Sequence, residues 1–271
     1  MKVDIYVCYH KKDVYQKVGG YIPIHVGKAN SSLDLGFMGD DSGDNISKLN
    51  PWYCELTALY WAWKNDLDAD YIGLTHYRRS FDFGARGFNR FRRINHCNEK
   101  YFYSHSSFNE QELQKYDVVL PIYQRFCLPI AVNLCKNHIK KDVEILEDVV
   151  SYLYPEYLGD YKKIFQGNIY APCNMLVAKR EIFQGYCKWL FDILFEFSKR
   201  MSIPFDPYQP RVFGFYSERL MLVYMHHHRL RIKQIPMTLL DGKSNPFFLK
   251  RYLRNGVANL VHYLYQRMDQ L

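Results

Sequence analysis

Two short apolar runs in this chain end abruptly in cationic clusters, and this pairing limits the architecture more than any other feature. Residues 2–9 place Val3, Ile5 and Val7 at alternate positions and then give way to His10-Lys11-Lys12-Asp13; the run Tyr71–Thr75 gives way to His76-Tyr77-Arg78-Arg79. Period-two alternation and short β-branched runs predict strands. In an open α/β sheet, ligands meet the chain beyond the C-terminal ends of the strands, so both clusters belong to one crevice. His10, Lys11, His76, Arg78 and Arg79 are therefore candidate groups for an anion. A diphosphate suits them best, because guanidinium forks bind phosphate oxygens in pairs and neutralise charge on a leaving group. The plainer reading pairs Arg78 and Arg79 with the loop 34–44, which holds four Asp and no Lys or Arg.

The segments between and after these strands alternate with them as helices. Asn50 reads as an N-cap and Pro51 as the first helical residue, after which Trp52, Leu56, Leu59 and Trp63 recur at helical spacing up to Asn65. Further strands are expected at Tyr21–Val26, Val118–Ile122, Ile169–Ala178 and Leu230–Ile235, and helices at Ile139–Leu153, Glu181–Lys199 and Glu218–His227. This order predicts an α/β fold with a mostly parallel sheet flanked by helices. A loop of about thirty residues after Arg79 is of a length that usually carries function.

Composition narrows the class. The chain has 271 residues, enough for a sizeable core, with 36 Lys+Arg against 28 Asp+Glu for a formal charge of +8. Its 24 Tyr, 18 Phe and 4 Trp exceed what a core alone requires, so some should line wet clefts. Seven cysteines without a CxxC pair suit neither a disulfide framework nor a zinc site, and predict a reducing cytoplasm. The acidic, very short apolar N-terminus does not read as a signal peptide, and no run approaches the ~18 apolar residues of a membrane span. His226-His227-His228 does not read as a metal site, since consecutive helical side chains diverge by ~100°; a solvated helix end is expected instead.

The segments Gly43-Asp44-Asn45-Ile46-Ser47, Asn50, Tyr53–Asn65 and Gly73–Arg79 carry a resemblance, continued at Tyr154–Tyr157, Cys173–Met175, Tyr186–Leu194 and Ser217–Leu220. The chain resembles, over roughly residues 2 to 240, the bacterial capsular and exopolysaccharide biosynthesis glycosyltransferases long filed as a domain of unknown function. The resemblance implies a GT-A-like (Rossmann-like) sheet and a UDP-sugar donor, galactofuranose being the sugar assigned to several members. It implies a lipid-linked oligosaccharide acceptor in capsule, exopolysaccharide or O-antigen synthesis. It also brings Asp44, Asn45 and Glu55 to the donor side, with His10, Lys11, His76, Arg78 and Arg79, and leaves Tyr77, Asn174 and Arg219 for sugar or acceptor.

An enzyme of that type ordinarily carries Asp-x-Asp after a strand to hold a divalent metal. Here Asp68-Ala69-Asp70 precedes the strand, and the place of the acidic pair is taken by His76 and two arginines. The expectation is that no metal cofactor is required, with Mn²⁺ or Mg²⁺ as the alternative. Inversion at the sugar needs a carboxylate to take the acceptor's proton. Glu218, read as lying at a helix start, is the candidate base, although a first-turn glutamate is also what a helix dipole favours. Asn174, read inside a strand, could equally satisfy buried backbone.

Two further readings concern partners. The segment Arg78–Arg93 has six Arg against one Asp, net +5, interleaved with four Phe, which is the composition of a nucleic-acid-binding surface. No RNA-module signature accompanies it, so nucleic acid is the alternative and not the expected partner. The chain is expected to divide into a catalytic domain, 1–245, and a basic amphipathic C-terminal helix, 246–271. That helix puts Leu249, Leu253, Val257, Leu260, Leu264 and Met268 on one stripe and suits the inner surface of a membrane, a partner subunit or the domain itself.

Overall fold

The computed structural model of the chain describes residues 1–13, 15, 18–85, 94–96, 99–201, 211–240, 256–258 and 260–265. Contacts divide the chain into two compact units: Met1–Ile122, Cys173–Cys187 and Leu230–Asn245 form the first, and Tyr123–Pro172, Lys188–Arg229 and Pro246–Leu271 the second.

The first unit is a nine-stranded sheet with its helices. Its strands are β1 (Val3–Tyr9), β2 (Tyr21–His25), β3 (Tyr71–His76), β4 (Arg79–Phe81), β5 (Ile94–His96), β6 (Val118–Pro121), β9 (Leu176–Lys179), β10 (Ile232–Ile235) and β11 (Met237–Leu240). A two-stranded sheet in the second unit supplies β7 (Gln124–Arg125) and β8 (Ile169–Tyr170). β1 runs parallel to β2 and β3, and β6 parallel to β10, while β9 lies antiparallel between β3 and β6. β1 and β3 are buried along their whole length, as parallel strands covered on both faces must be. Val3, Ile5, Val7 and Tyr9 face one core with Tyr71, Phe81, Val119, Met175, Val177 and Met237. On the other face Tyr6 meets the Trp61 ring at 5.6 Å and donates its hydroxyl to Asp66 at 3.0 Å. Gly73 lets β9 approach β3: a Cβ there would stand 2.7 Å from the Leu176 carbonyl oxygen.

The structure corrects the expected elements at three places that bear on function. The helix expected from Asn50 to Asn65 is two, α1 (Asn50–Tyr53) and α2 (Leu56–Asn65), broken at Cys54, whose backbone is left-handed (φ 52°, ψ −127°). Asn50 is not the N-cap. Its amide instead brackets the break, donating to the Cys54 carbonyl at 2.8 Å and to the Thr57 hydroxyl at 3.1 Å. The strand expected over Ile169–Ala178 is β8, a tight turn with Cys173 (φ 70°) and Asn174 (φ 50°) left-handed, and then β9. Thirdly, a last strand, β11, follows β10 and was not expected; it pairs with β4 and β5.

The long loop after Arg79 holds β4 and β5, then α3 (Glu99–Ser106) and α4 (Glu110–Leu113). The second unit is helical: α5 (Ile130–Asn137), α6 (Lys140–Leu153), α7 (Leu158–Gln166), the later part of α8 (Arg180–Arg200) and α9 (Val212–His227). Aromatic rings fill it, with Tyr157 stacked on Trp189 (5.1 Å) and Phe197 edge-on to Tyr216 (4.9 Å). The triple histidine closes the helix with His226 and His228 exposed, as expected, but its rings are also bonded. His226 and His227 both meet Asp160, at 2.7 and 2.8 Å, and His228 meets the Tyr157 hydroxyl at 2.7 Å. Burial works against the Asp160 carboxylate's charge, but the hydrogen bonds from His227 and His226 prevail and hold it below its ordinary range.

Residues 256–258 and 260–265 are helical, and Val257, Leu260 and Leu264 of the expected stripe are exposed. Leu249, Leu253 and Met268 lie outside the described residues.

Candidate functional site

The register of the sheet decides which side chains meet. Tyr9 of β1 pairs with His25 of β2, and Cys8 with His76 of β3. The residues that follow, His10-Lys11-Lys12 and Tyr77-Arg78, therefore leave one edge of the first unit together. Because β9 runs the other way, with Leu176 opposite Leu74, the turn Cys173–Met175 enters at that same edge. His76-Tyr77-Arg78-Arg79 is itself the tight hairpin joining β3 to β4, with His76 paired to Arg79.

The Tyr77 ring is the centre of the cationic group. His10 stands edge-on to it at 5.3 Å, the Arg78 guanidinium lies 5.4 Å from its centroid and the Lys11 ammonium 5.9 Å. Arg78 does not pair with the 34–44 loop. Its Nε and Nη2 both reach Oδ2 of Asp13, at 3.0 and 2.9 Å, with the Arg78 side chain still 44% exposed. Lys11, Lys12 and Arg79 have no carboxylate partner among the described residues.

Behind these cations lies a buried polar layer. His76 donates from Nε2 to the Cys173 carbonyl at 2.8 Å, which places the proton on Nε2 because a carbonyl can only accept. Asn174, fully buried, donates from Nδ2 to Oε1 of Glu55 at 2.8 Å. Asp40, also fully buried, accepts the backbone N–H groups of Gly27 (2.9 Å) and Lys28 (3.1 Å) and the Ser47 hydroxyl, and so fixes the loop after β2. The buried Cys8 thiol is pushed well above its usual value by desolvation, with the Glu55 and Asp40 carboxylates adding to the effect. Burial likewise pulls His25 down.

Not every expected residue joins this edge. Asp44 accepts the Tyr60 hydroxyl at 3.0 Å and its backbone exchanges bonds with Asn65, at the far end of α2 from Glu55. Ten residues of helix separate those ends by ~15 Å. The Asn45 amide is spent on the carbonyls of its own loop, Gly43 at 3.0 Å and Asp41 at 3.1 Å. Asp70 marks the start of β3, its carboxylate accepting the backbone N–H of Lys2 at 2.7 Å, so the Asp68-Ala69-Asp70 run lies at the opposite end of the strand from His76.

Glu218 and Arg219 belong to the second unit. Glu218 is not in a first turn: α9 begins at Val212, beyond the reach of the N-terminal dipole. Its carboxylate instead receives Nη1 of Arg219 at 2.8 Å. Arg219, 6% exposed, packs its guanidinium against Tyr170 (4.8 Å), Phe126 (5.2 Å) and Phe215 (5.8 Å). The roles of Asp13 and Asp40 were missed from the sequence, and that of Asn50 was misread as a cap; Asp13 carried a signal, closing the polar run after β1. The Arg- and Phe-rich segment falls largely on 86–93, outside the described residues.

These features define a class: an α/β protein whose polar groups collect at the carboxyl edge of parallel strands. The chain belongs to a family described as a domain of unknown function, DUF4422, which it matches over residues 4–229. Its fold is similar to that of the bifunctional glycosyltransferase WbbM, solved in the apo form, with a TM-score of 0.81 and 32% identity over 92% of this chain. The match covers 48% of the WbbM chain, so this chain spans about half of that protein's length. No curated protein matches. Among the described residues no helix is long and apolar enough to cross a membrane, and no three His, Cys, Asp or Glu are grouped to hold a metal ion.

Proposed function

We propose that the chain is a glycosyltransferase that passes a sugar from a UDP-sugar to a lipid-linked saccharide. The observation that carries this reading is the likeness of 92% of the chain to a bifunctional glycosyltransferase at 32% identity. The cationic edge agrees with it. Arg78, Arg79, His10 and Lys11 bind the donor diphosphate and offset the charge that grows on departing UDP. Tyr77 and Asn174 line the sugar side.

In the reaction the acceptor hydroxyl oxygen bonds to the anomeric carbon while the bond from that carbon to the diphosphate oxygen breaks, its electron pair leaving with UDP. Glu218 accepts the hydroxyl proton, and the configuration inverts. General-base help of this kind contributes ~10²–10⁴-fold. Fixed side-chain cations take the part that a divalent metal plays elsewhere, so the reaction proceeds without one; dependence on Mn²⁺ or Mg²⁺ is the alternative.

Galactofuranose is the proposed sugar, and capsule, exopolysaccharide or O-antigen the proposed product, on the resemblance alone. The exposed Val257, Leu260 and Leu264 support contact with a membrane surface, where a lipid-linked acceptor resides, on its cytoplasmic side. A panel of UDP-sugars, including both ring forms of galactose, assayed for UDP release with and without EDTA, tests donor and metal together. Loss of all release in EDTA, restored by Mn²⁺, would replace the cationic reading by the metal one.

A further inference from the structure

Glu55 is a buried carboxylate that its surroundings leave unneutralised. Its residue is 8% exposed, and no cation pairs with it among the described residues. An ionised carboxylate offers about four acceptor positions. Here Oε1 takes one hydrogen bond, from Asn174 Nδ2, while Oε2 is neither bonded nor sealed from solvent. Ions so placed are costly unless further donors complete them.

The backbone holds this carboxylate firmly. Three non-glycine residues are in the left-handed region here: Cys54, which precedes Glu55, Asn174, which is its partner, and Cys173, which precedes Asn174. Strain of this kind persists where the surroundings over-determine it, commonly at ligand sites. The over-determination is visible: the Cys54 carbonyl accepts from the Asn50 amide (2.8 Å) and the Thr57 hydroxyl (3.0 Å), and the Glu55 carbonyl starts α2 by accepting the N–H groups of Ala58 and Leu59.

We infer that Glu55 reads ligand hydroxyls and does not touch phosphate. Resting on the donor reading above, this assigns it the vicinal hydroxyls of the nucleotide ribose or those of the transferred sugar. The local charge favours this. Glu55 and Asp40 both act on the Cys8 thiol in the same sense, so two carboxylates gather behind β1, while the cations stand around Tyr77. A carboxylate repels phosphate oxygens and attracts O–H donors. The His76 Nε2 proton is already committed to the Cys173 carbonyl.

Titration calorimetry on wild type and Glu55→Gln tests the inference, with inorganic pyrophosphate, UDP, 2′,3′-dideoxy-UDP and UDP-galactose as probes. The amide introduced by this substitution keeps an acceptor for Asn174, and thermal unfolding run alongside reports whether the variant folds. Pyrophosphate should bind both proteins alike. If ribose is the ligand, Glu55→Gln weakens UDP at least about tenfold but leaves the dideoxy form unchanged; if the sugar is, UDP is unchanged and UDP-galactose weakens by as much. Should Glu55→Gln not fold, Glu55→Asp, which keeps the charge but shortens its reach, takes its place with the same probes and the same outcomes. Equal losses for pyrophosphate and UDP-galactose, equal losses for UDP and its dideoxy form, or no loss at all, would overturn the role of Glu55. Wild type that binds none of the four probes would instead overturn the donor reading and, with it, this inference.

Discussion

Asn174 donates to Glu55 across 119 positions of sequence, and both ends of the 2.8 Å bond stand on or beside left-handed backbone. Asparagine tolerates that conformation better than most residues because its short polar side chain bonds locally. Asn174→Ala therefore loses twice, in backbone strain and in a buried carboxylate left without its donor. The variant should be less stable by ~2–4 kcal/mol in urea unfolding. Asn174→Gly, which relieves the backbone but not the carboxylate, should lose less. Equal stability of Ala and wild type would show that the bond does not matter.

Arg78 separates stability from binding. Its ion pair with Asp13 is partly exposed and worth only ~0–1 kcal/mol to the fold. Arg78→Ala should leave the melting temperature nearly unchanged while weakening UDP-sugar binding by ~10–100-fold, the worth of a charge-assisted phosphate contact. Asp13→Asn should act in the opposite direction, tightening donor binding and steepening its salt dependence. Wild-type affinity in Arg78→Ala would remove this residue from the donor site.

Much of the first unit could be read directly from residue types. Alternation showed β1, a buried run showed β3, and the cations after each pointed to the edge they share. At Cys54 no glycine or proline marks the break; at Cys173 the preceding Pro172 marks it, and the run Ile169–Ala178 was read through that proline. Cys54 and Cys173 take up left-handed backbone inside patterns that otherwise suit a helix and a strand, and at Cys54 the cause is a pair of local side-chain bonds to its carbonyl, from Asn50 and Thr57, that the apolar spacing does not announce. The reversal of β9 could not be read either, since a buried strand looks the same in both directions. Glu218 misled for a related reason: the helix begins at Val212, a start without a side-chain cap, so nothing local announces it.

Acid should weaken the sheet through Asp117, which ties three strands' ends. Its carboxylate accepts Lys179 Nζ (2.9 Å) and Arg231 Nε, Nη2 and backbone N–H (3.1, 2.9 and 2.9 Å). The Arg231 bonds, against a smaller opposing effect of burial and with help from Lys179, hold this carboxyl well below the usual range. A depressed folded pKa contributes stability that is complete above the unfolded value, ~3.9, and is lost as pH falls through the folded one. Asp117→Asn should thus cost ~1–3 kcal/mol at pH 7, and the gap to wild type should narrow below about pH 4. A gap that stays constant from pH 7 to pH 3 would contradict this.

In the second unit, Glu218 and Arg219 should respond differently to substitution. Glu218→Gln still accepts from Arg219, so it should fold normally, keep donor binding and lose turnover by ~10²–10⁴-fold. Arg219→Ala removes the ion pair to the Glu218 carboxylate and empties the space between Phe126, Tyr170 and Phe215, and should cost ~3–5 kcal/mol in stability. Wild-type turnover in Glu218→Gln would exclude it as the base.

Release of UDP from UDP-galactofuranose, followed in EDTA with wild type, Arg78→Ala and Glu218→Gln side by side, tests the central claim most directly. Glycosyl transfer by side-chain cations and a carboxylate base predicts release by wild type and its loss in both variants. Absence of release from every UDP-sugar tried, with or without divalent metal, would contradict it.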